Sequence, residues 1–303
     1  MDIEQIRAFV KVVSHKSFSG AAEKLYISQP SVSVKIKALE EELGVILFDR
    51  SKAREPVLTE EGRIFLDYAY SIVDLHESCR EKLSGQKKTA SGPVYIGAST
   101  VPGTYLLPAF MANFKEKNPS IDLNLDILDT SAVLEGVLNY SYDLGFVGLI
   151  KEDDRLKYVT LASDDLVLCT KKGLIDTKEE EITVEKLMDY HLLMRERGSA
   201  TRRLLEKELT GRGFDLSNFP GITYINNLEG LKQAVKKGLG VAVISSLSVQ
   251  EMVDAEVVDL FKIKDLDLSR YLYLVYHCNR VLNGAAKLFR DNTIEKVNRL
   301  NQI

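Results

Sequence analysis

The sequence predicts a multidomain chain: an all-α unit with a short two-strand wing, a linker helix, and then a two-lobed α/β region. Three observations predict it. Apolar residues recur at helical spacing through the N-terminal part, short apolar strands alternate with amphipathic helices from Val94 onward, and that alternation runs through two successive sets. A chain of 303 residues is also too long for one typical domain. The expected boundaries are 1–58, 59–91 and 92–303, with one lobe formed by about 92–163 and 268–303 and the other by about 164–267.

Ile3, Ile6, Phe9, Val10 and Val13 give a first amphipathic helix. Ser17-Phe18-Ser19 offers N-cap hydroxyls to Gly20-Ala21-Ala22-Glu23-Lys24-Leu25, whose paired alanines let another helix come close. Tyr26-Ile27 makes a short turn. Ser28 caps a third helix, and Pro30 falls in its first turn, where no intrahelical amide bond is lost. Val32, Ile36, Leu39 and Leu43 share one face and point inward. Pro30, Val34, Lys37 and Glu41 lie opposite, with Ser31 and Ser33 on the flanks. The outward side of the first two turns is therefore small, polar or basic, as entry into a major groove requires. Glu40, Glu41 and Glu42 come at the far end and are expected to point away from a nucleic acid.

Gly44 ends this helix. Val45-Ile46-Leu47-Phe48 and Pro56-Val57-Leu58 flank the basic stretch Arg50-Ser51-Lys52-Ala53-Arg54, predicting a two-strand wing. By itself such a stretch reads as a solvated loop; directly after a two-helix reader, phosphate or minor-groove contact is the better reading. The all-α unit is thus a winged helix-turn-helix. Thr59 can cap the following helix, with Glu60 and Glu61 complementing its dipole. Phe65, Ile72 and Cys79 are spaced by seven, and Tyr68 and Leu75 fill a second seam, so a dimerising linker helix is favoured over a monomer-internal one. The apolar-poor run from Gln86 to Gly92 is a hinge.

Bulk charge contributes nothing to this reading. The net charge is −4, and residues 1–91 hold 14 Lys+Arg against 14 Asp+Glu. Placement matters instead: Lys24, Lys35 and Lys37 sit in a stretch without an acid. With 45% hydrophobic and 28% charged residues the composition is that of an ordinary globular protein. No apolar run approaches the roughly 18 residues that span a bilayer. The acidic start Met1-Asp2-Ile3-Glu4-Gln5 does not resemble a signal peptide. Cys79, Cys169 and Cys278 form no CxxC pair and are expected as free thiols in a reducing cytoplasm.

Ser17-Phe18-Ser19-x-Ala21-Ala22-x-x-Leu25, Ser28-Gln29-Pro30-Ser31-Val32-Ser33, Ile36-x-x-Leu39-Glu40, Leu43-Gly44-x-x-Leu47-Phe48-x-Arg50 and Leu58-Thr59-x-x-Gly62 together resemble the signature of LysR-type transcriptional regulators. The resemblance implies that Gln29, Pro30, Ser31, Ser33 and Lys35 face bases and backbone, and that Arg50 and the wing bind phosphate or minor groove. The full candidate DNA-contacting set is Ser28, Gln29, Pro30, Ser31, Ser33, Val34, Lys35, Lys37, Arg50, Lys52 and Arg54. One departure stands out: Val34 occupies a position where the family usually has a polar Arg or Gln. The resemblance also implies promoter DNA, a small-molecule effector, self-association as homodimer and homotetramer, and RNA polymerase as partners, with no membrane.

Val94–Ala98, Ile121–Leu128, Leu144–Val147, His191–Arg195, Ile222–Ile225 and Val241–Ile244 read as strands of largely parallel sheets, with crossings near Ser163–Cys169 and Lys264–Tyr273. The family resemblance implies a periplasmic-binding-protein-like effector domain with a ligand cleft. In open α/β sheets ligands sit beyond strand carboxyl ends, at helix N-termini. That singles out four turns, at Ser99 and Thr100, Thr130 and Ser131, Ser199 with Thr201, and Asn226, and Gly148 completes the candidate effector-binding set. Each turn alone could be an ordinary N-cap; four of them favour a shared cleft for a small anion, with Arg202 as countercharge. The string Ile96-Gly97-Ala98-Ser99-Thr100-Val101-Pro102-Gly103-x-Tyr105-Leu106-Leu107-Pro108, with Gly198-Ser199-x-Thr201-Arg202-Arg203, resembles a LysR-type subgroup associated with selenium or sulfur metabolism, which implies an inorganic oxyanion or a sulfur metabolite. Ala200 stands where that subgroup tends to have Gly.

Catalysis finds no foothold. His15, His76, His191 and His277 belong to separate regions, no GxSxG or HExxH occurs, and no Cys/His set has zinc spacing. Neither cofactor nor metal is expected. The competing readings are a metabolite-processing enzyme or carrier with an appended DNA-binding domain, and an architectural DNA binder that senses nothing.

Overall fold

The computed structural model describes residues 1–49, 56–83, 93–176 and 179–300. Three helices open the chain: α1 (Ile3–His15), α2 (Phe18–Leu25) and α3 (Gln29–Leu43). Their limits follow from local chemistry. Asp2 accepts from the Glu4 amide and forms a reciprocal capping box with Gln5, Ser17 accepts from the Gly20 amide, and Ser28 accepts from the Ser31 amide. Lys16, Tyr26 and Gly44 end the three helices in the left-handed region. Val32, Ile36 and Leu39 are buried against α1 and α2 in one core with Phe9 and Ala21. Full burial of each is worth about 1.5–3 kcal/mol.

The wing strands β1 (Phe48–Asp49) and β2 (Val57–Leu58) pair antiparallel. Glu40 turns away from the outer face of α3 by pointing inward. It is buried, and its carboxylate accepts from the amides of Leu47 (2.8 Å) and Phe48 (3.3 Å), fastening the wing to α3. Gly62 also has a reason: a Cβ there would lie 2.2 Å from the Leu47 carbonyl oxygen, so α4 (Glu60–Leu83) can start only with glycine at this crossing.

The two seams expected on α4 separate. Phe65 and Ile72 pack on the N-terminal core, whereas Tyr68 and Leu75, with Ile64, Cys79 and Leu83, form an exposed stripe. Further along, α4 meets the C-terminal region. Tyr70 stacks on Tyr140 at 4.2 Å between ring centroids, and the Ser71 hydroxyl donates to the Asn279 carbonyl (2.7 Å).

The C-terminal region continues with β3 (Pro93–Ser99), a π-helical turn (Pro102–Leu106), α5 (Leu107–Lys117), β4 (Asp122–Leu128), α6 (Thr130–Leu138) and β5 (Leu144–Val147). The long β6 (Leu156–Lys171) is followed by β7 (Glu181–Ile182), α7 (Val184–Leu187), β8 (Leu192–Met194), α8 (Ala200–Gly211), β9 (Ile222–Tyr224), α9 (Leu228–Lys237), β10 (Val241–Ser245) and α10 (Gln250–Asp254). Then come β11 (Val258–Ile263), β12 (Ser269–His277) and α11 (Gly284–Leu300). The sheets are mixed rather than largely parallel. β3 pairs parallel with β4 and β5, and β8 pairs parallel with β9 and β10, but β6 and β12 run antiparallel to their neighbours. β6 pairs with β12 up to Asp165 and with β10 from Leu166, so this one strand carries the chain from the first lobe into the second.

Among the described residues no helix is long and apolar enough to cross a membrane. The three cysteines are free, and burial pushes the Cys169 thiol up to about 12, which leaves it inert.

Candidate nucleic-acid interface and interlobe cleft

On α3 the structure exposes Gln29, Pro30, Ser31, Ser33, Val34 and Lys37, together with the cap residue Ser28; Lys35 is half-buried. Val34 is 67% exposed, so a branched apolar side chain stands at the centre of an otherwise polar face. The Ser28 and Ser31 hydroxyls are bonded to each other (2.8 Å), and Lys37 pairs with Glu41 at 3.5 Å across one helical turn. Such an exposed pair is weak and yields easily to a phosphate. Tyr26, read from sequence only as part of a turn, is 95% exposed at the head of α3. Its signal was available: an aromatic residue between Leu25 and Ile27 that fits the inward register of neither helix. Arg50, Lys52 and Arg54 lie outside the described residues.

The cleft between the lobes is lined from both sides. A small inner chamber of about 20 Å³ is bounded by Ser99, Thr100, Asp129, Thr130, Ser199 and Thr201, with Arg195, Glu196 and Arg270 among its walls. It adjoins a wider cavity of about 430 Å³ that adds Thr104, Tyr105, Ile127, Asn226 and Glu229. Ser99, Thr130 and Ser199 are 8%, 1% and 7% exposed, and among the described residues their hydroxyls have no hydrogen-bond partner. Ser199 is also the N-cap of α8 yet places no side-chain oxygen on that helix's amides. A helix N-terminus without a cap and three unclaimed hydroxyls therefore converge on one chamber.

The cations lining it differ from the one expected. Arg202 turns away: it donates to Glu206 (2.7 Å) and to the Arg195 carbonyl (3.2 Å), lies over the Tyr224 ring, and lines neither cavity. Arg195 and Arg270 line the chamber instead. Arg195 grips both oxygens of Glu196 at 2.8 Å and reaches across to the Thr100 hydroxyl of the first lobe at 3.3 Å. Arg270 donates twice to Asp164 (2.9 and 2.8 Å) and once to the Thr201 hydroxyl (3.1 Å). Gly148 lies behind Arg270, where a Cβ would come within 3.2 Å of the guanidinium. Ser131 accepts from Arg203 (2.8 Å), a further bridge between the lobes beside those of Arg195 and Arg270. Asn226 lines only the wider cavity. Asp164 and Arg270 face each other in register on β6 and β12. Opposite charges in the two predicted crossing segments were the signal that could have found this pair.

A second polar cluster lies where α4 meets the first lobe. The Tyr140 hydroxyl bonds His277 Nδ1 (3.2 Å), Asp67 lies 3.8 Å from His277 Nε2, and Arg280 donates to the carbonyls of Tyr140 (3.0 Å) and Tyr142 (2.8 Å) and pairs with Asp143. Burial is the main cause pushing the Asp74 carboxyl up to about 7, aided by Glu77 and Asp143 and opposed by Arg280. Burial likewise lowers His277, against the pull of Asp67. Of the other histidines, His191 bonds Thr223 within the second lobe, whereas His76 lies on α4 two residues from Asp74 with its Nδ1 buried and unbonded among the described residues.

Two family profiles match the chain. The one described as "Bacterial regulatory helix-turn-helix protein, lysR family" covers residues 3–63, and "LysR substrate binding domain" covers residues 87–297. A curated relative, "Probable RuBisCO transcriptional regulator" of Cyanophora paradoxa, is 30% identical over 295 residues, 96% of this chain and 91% of its own length. Among solved structures, a full-length OxyR variant from Pseudomonas aeruginosa superposes with a TM-score of 0.77 at 23% identity, covering 97% of this chain and 98% of that one. Full-length CbnR complexed with its target DNA gives a TM-score of 0.57 at 17% identity, covering 98% and 100%.

Proposed function

The chain belongs to the LysR family of transcriptional regulators, and on that premise we propose that α3 reads promoter DNA while the interlobe chamber takes a small effector bearing an anionic group. It is a regulator with a DNA-binding helix-turn-helix and an effector-binding domain, and not an enzyme. We assign Gln29, Pro30, Ser33 and Val34 to the bases and Ser28, Ser31, Lys35 and Lys37 to flanking backbone, with Arg50, Lys52 and Arg54 on phosphate or minor groove. Residues 1–58 form the reader, 59–91 the linker and 92–303 the effector region, in a homodimer joined along the exposed stripe of α4 and paired into a tetramer. A DNA reader of this kind works in the cytoplasm. The motifs Ile96–Pro108 and Gly198–Arg203 favour a regulator of sulfur or selenium metabolism.

The observation that carries the reading half is the exposed, acid-free outer side of the first two turns of α3, with Val34 at its centre. A branched apolar group there fits a thymine methyl. Selection from random duplexes with Val34→Gln should change the preferred base at one position per half-site, while Lys37→Ala weakens all sequences and lowers the salt dependence. Identical base preferences for the wild-type chain and Val34→Gln would remove Val34 from the readout.

The effector half rests on the uncapped α8 facing the Ser99, Thr130 and Ser199 hydroxyls. Thiosulfate, sulfate and selenite are the first probes. By linkage, an effector that alters DNA affinity must have its own affinity altered by the same factor. Ser199→Ala should weaken effector binding without touching DNA binding in the effector's absence.

A further inference from the structure

Resting on the anion reading of the chamber, we propose that the effector is a zwitterion of the α-amino acid type, its carboxylate in the inner chamber and its ammonium group on Asp129. Arg195 is neutralised by Glu196, Arg270 by Asp164, and Glu229 by Lys232. Among the described residues Asp129 alone of the charged groups lining the two cavities has no ion pair. It is held in place on two sides. One oxygen accepts from the Ala132 amide (3.0 Å) as the N-cap of α6, and its carboxyl packs on the turn before α8, where a Cβ on Gly198 would fall 2.6 Å from Asp129 Cγ. Asp129 lines both the inner chamber and the wider cavity and so stands at the passage between them.

The charge pattern excludes a plain anion as the best occupant. A bare oxyanion on the Ser99, Thr130 and Ser199 hydroxyls would sit beside an unpaired carboxylate, and two like charges at close range raise each other's cost. Arg195 and Arg270 do little to offset this, because each already donates twice to a carboxylate of its own. An ammonium group one carbon away from the bound carboxylate removes the conflict by pairing with Asp129 in a charge-assisted hydrogen bond. The chamber, at about 20 Å³, has room for a small group such as the end of a carboxylate. The rest of the molecule extends into the cavity of about 430 Å³, where Ile127 and Leu128 offer apolar contact and Asn226 and Thr104 polar contact to a side chain. Of the two effector classes that the sequence motifs imply, Asp129 thus favours an organic metabolite over an inorganic oxyanion.

The test is calorimetric titration of the full chain with the common α-amino acids, each followed by its matching 2-hydroxy acid, and with thiosulfate. Asp129→Asn keeps a good N-cap on α6 and removes only the charge. The expected result is that at least one amino acid binds, that its 2-hydroxy acid binds at least about tenfold more weakly, and that Asp129→Asn abolishes the difference. Equal binding of the hydroxy acid, or amino-acid binding unchanged in Asp129→Asn, overturns the ammonium assignment. Thiosulfate binding that is lost in Ser199→Ala and strengthened in Asp129→Asn overturns it too, while leaving the anion chamber standing. Absence of binding by every probe overturns both.

Discussion

At the interlobe cleft each lining arginine meets a carboxylate, whereas at the joint between α4 and the first lobe several buried polar groups lack partners. Asp74 Oδ2, His277 Nε2 and Arg280 Nε are all buried without a hydrogen bond among the described residues. In the cleft the unclaimed groups are neutral hydroxyls open to the chamber; in the joint they belong to ionisable side chains. The difference teaches where each interface spends its strain. An unclaimed hydroxyl costs little and waits for a ligand, while a buried carboxyl or imidazole without a partner changes its protonation instead. The cleft is built to hold one geometry, and the joint to be sensitive to what its side chains carry.

The largest expected effect breaks the cleft's side of this contrast. Asp164 is fully buried, held by Arg270 and by the Ser245 hydroxyl at 2.5 Å. Arg270→Ala leaves that carboxylate without its cation at the crossing of β6 and β12, and the expected loss is about 3–5 kcal/mol in thermal or urea unfolding. The joint double variant Asp164→Leu with Arg270→Leu should recover most of it, since a packed apolar pair replaces a desolvated ionic one. A loss under about 1 kcal/mol for Arg270→Ala would mean the pair is no more than a surface bridge.

The second prediction addresses the joint. The Asp74 carboxyl titrates near 3.8 when unfolded and at about 7 in the folded chain. Between these values the folded state binds the extra proton, so Asp74 makes stability fall as pH rises toward 7. His277 acts in the opposite sense: its folded value is lowered, so its contribution is lost as pH falls below its ordinary 6.5. Comparing Asp74→Asn with the unaltered chain at each pH cancels the histidine. The variant should be more stable by about 1–2 kcal/mol at pH 8, after allowance for solvent screening, with the difference shrinking as pH falls below 7 and the two chains equal near pH 3, below the unfolded value of 3.8. An identical difference at about pH 8 and about pH 3 would show that Asp74 is not protonated in the folded chain.

How much of this was legible depended on how local its cause was. α1 to α3 were readable because Ser17, Ser28, Pro30 and Gly44 act on their own turns, and Val32, Ile36 and Leu39 declare their face by spacing. The choice of seam on α4 was not readable. Phe65 and Ile72 share a seven-residue spacing with the exposed Tyr68 and Leu75, and only Phe9 beside Phe65 and Tyr140 beside Tyr70 decide which side is covered. The same holds for the cleft. The hydroxyls at strand ends could be named from the α/β pattern, but Arg202 could not be told from Arg195 and Arg270. That distinction needed the register of Asp164 against Arg270 and the position of Glu206 one turn along α8.

The smallest effect sharpens the contrast most directly, because it compares one hydroxyl from each interface. Ser71 donates to the Asn279 carbonyl across the joint, so Ser71→Ala removes a bond and leaves an acceptor behind, at an expected cost of about 1 kcal/mol. Ser99 is more deeply buried, yet its hydroxyl has no partner to lose. Ser99→Ala should therefore be close to neutral, within about 0.5 kcal/mol either way, since the deleted hydroxyl faces the chamber and gives up no protein bond. Burial alone predicts the reverse order, so the pair separates the two accounts by unfolding measurements on otherwise identical chains. If Ser99→Ala costs as much as Ser71→Ala, the chamber hydroxyls are bonded to ordered water and the inner chamber is wet before any effector arrives.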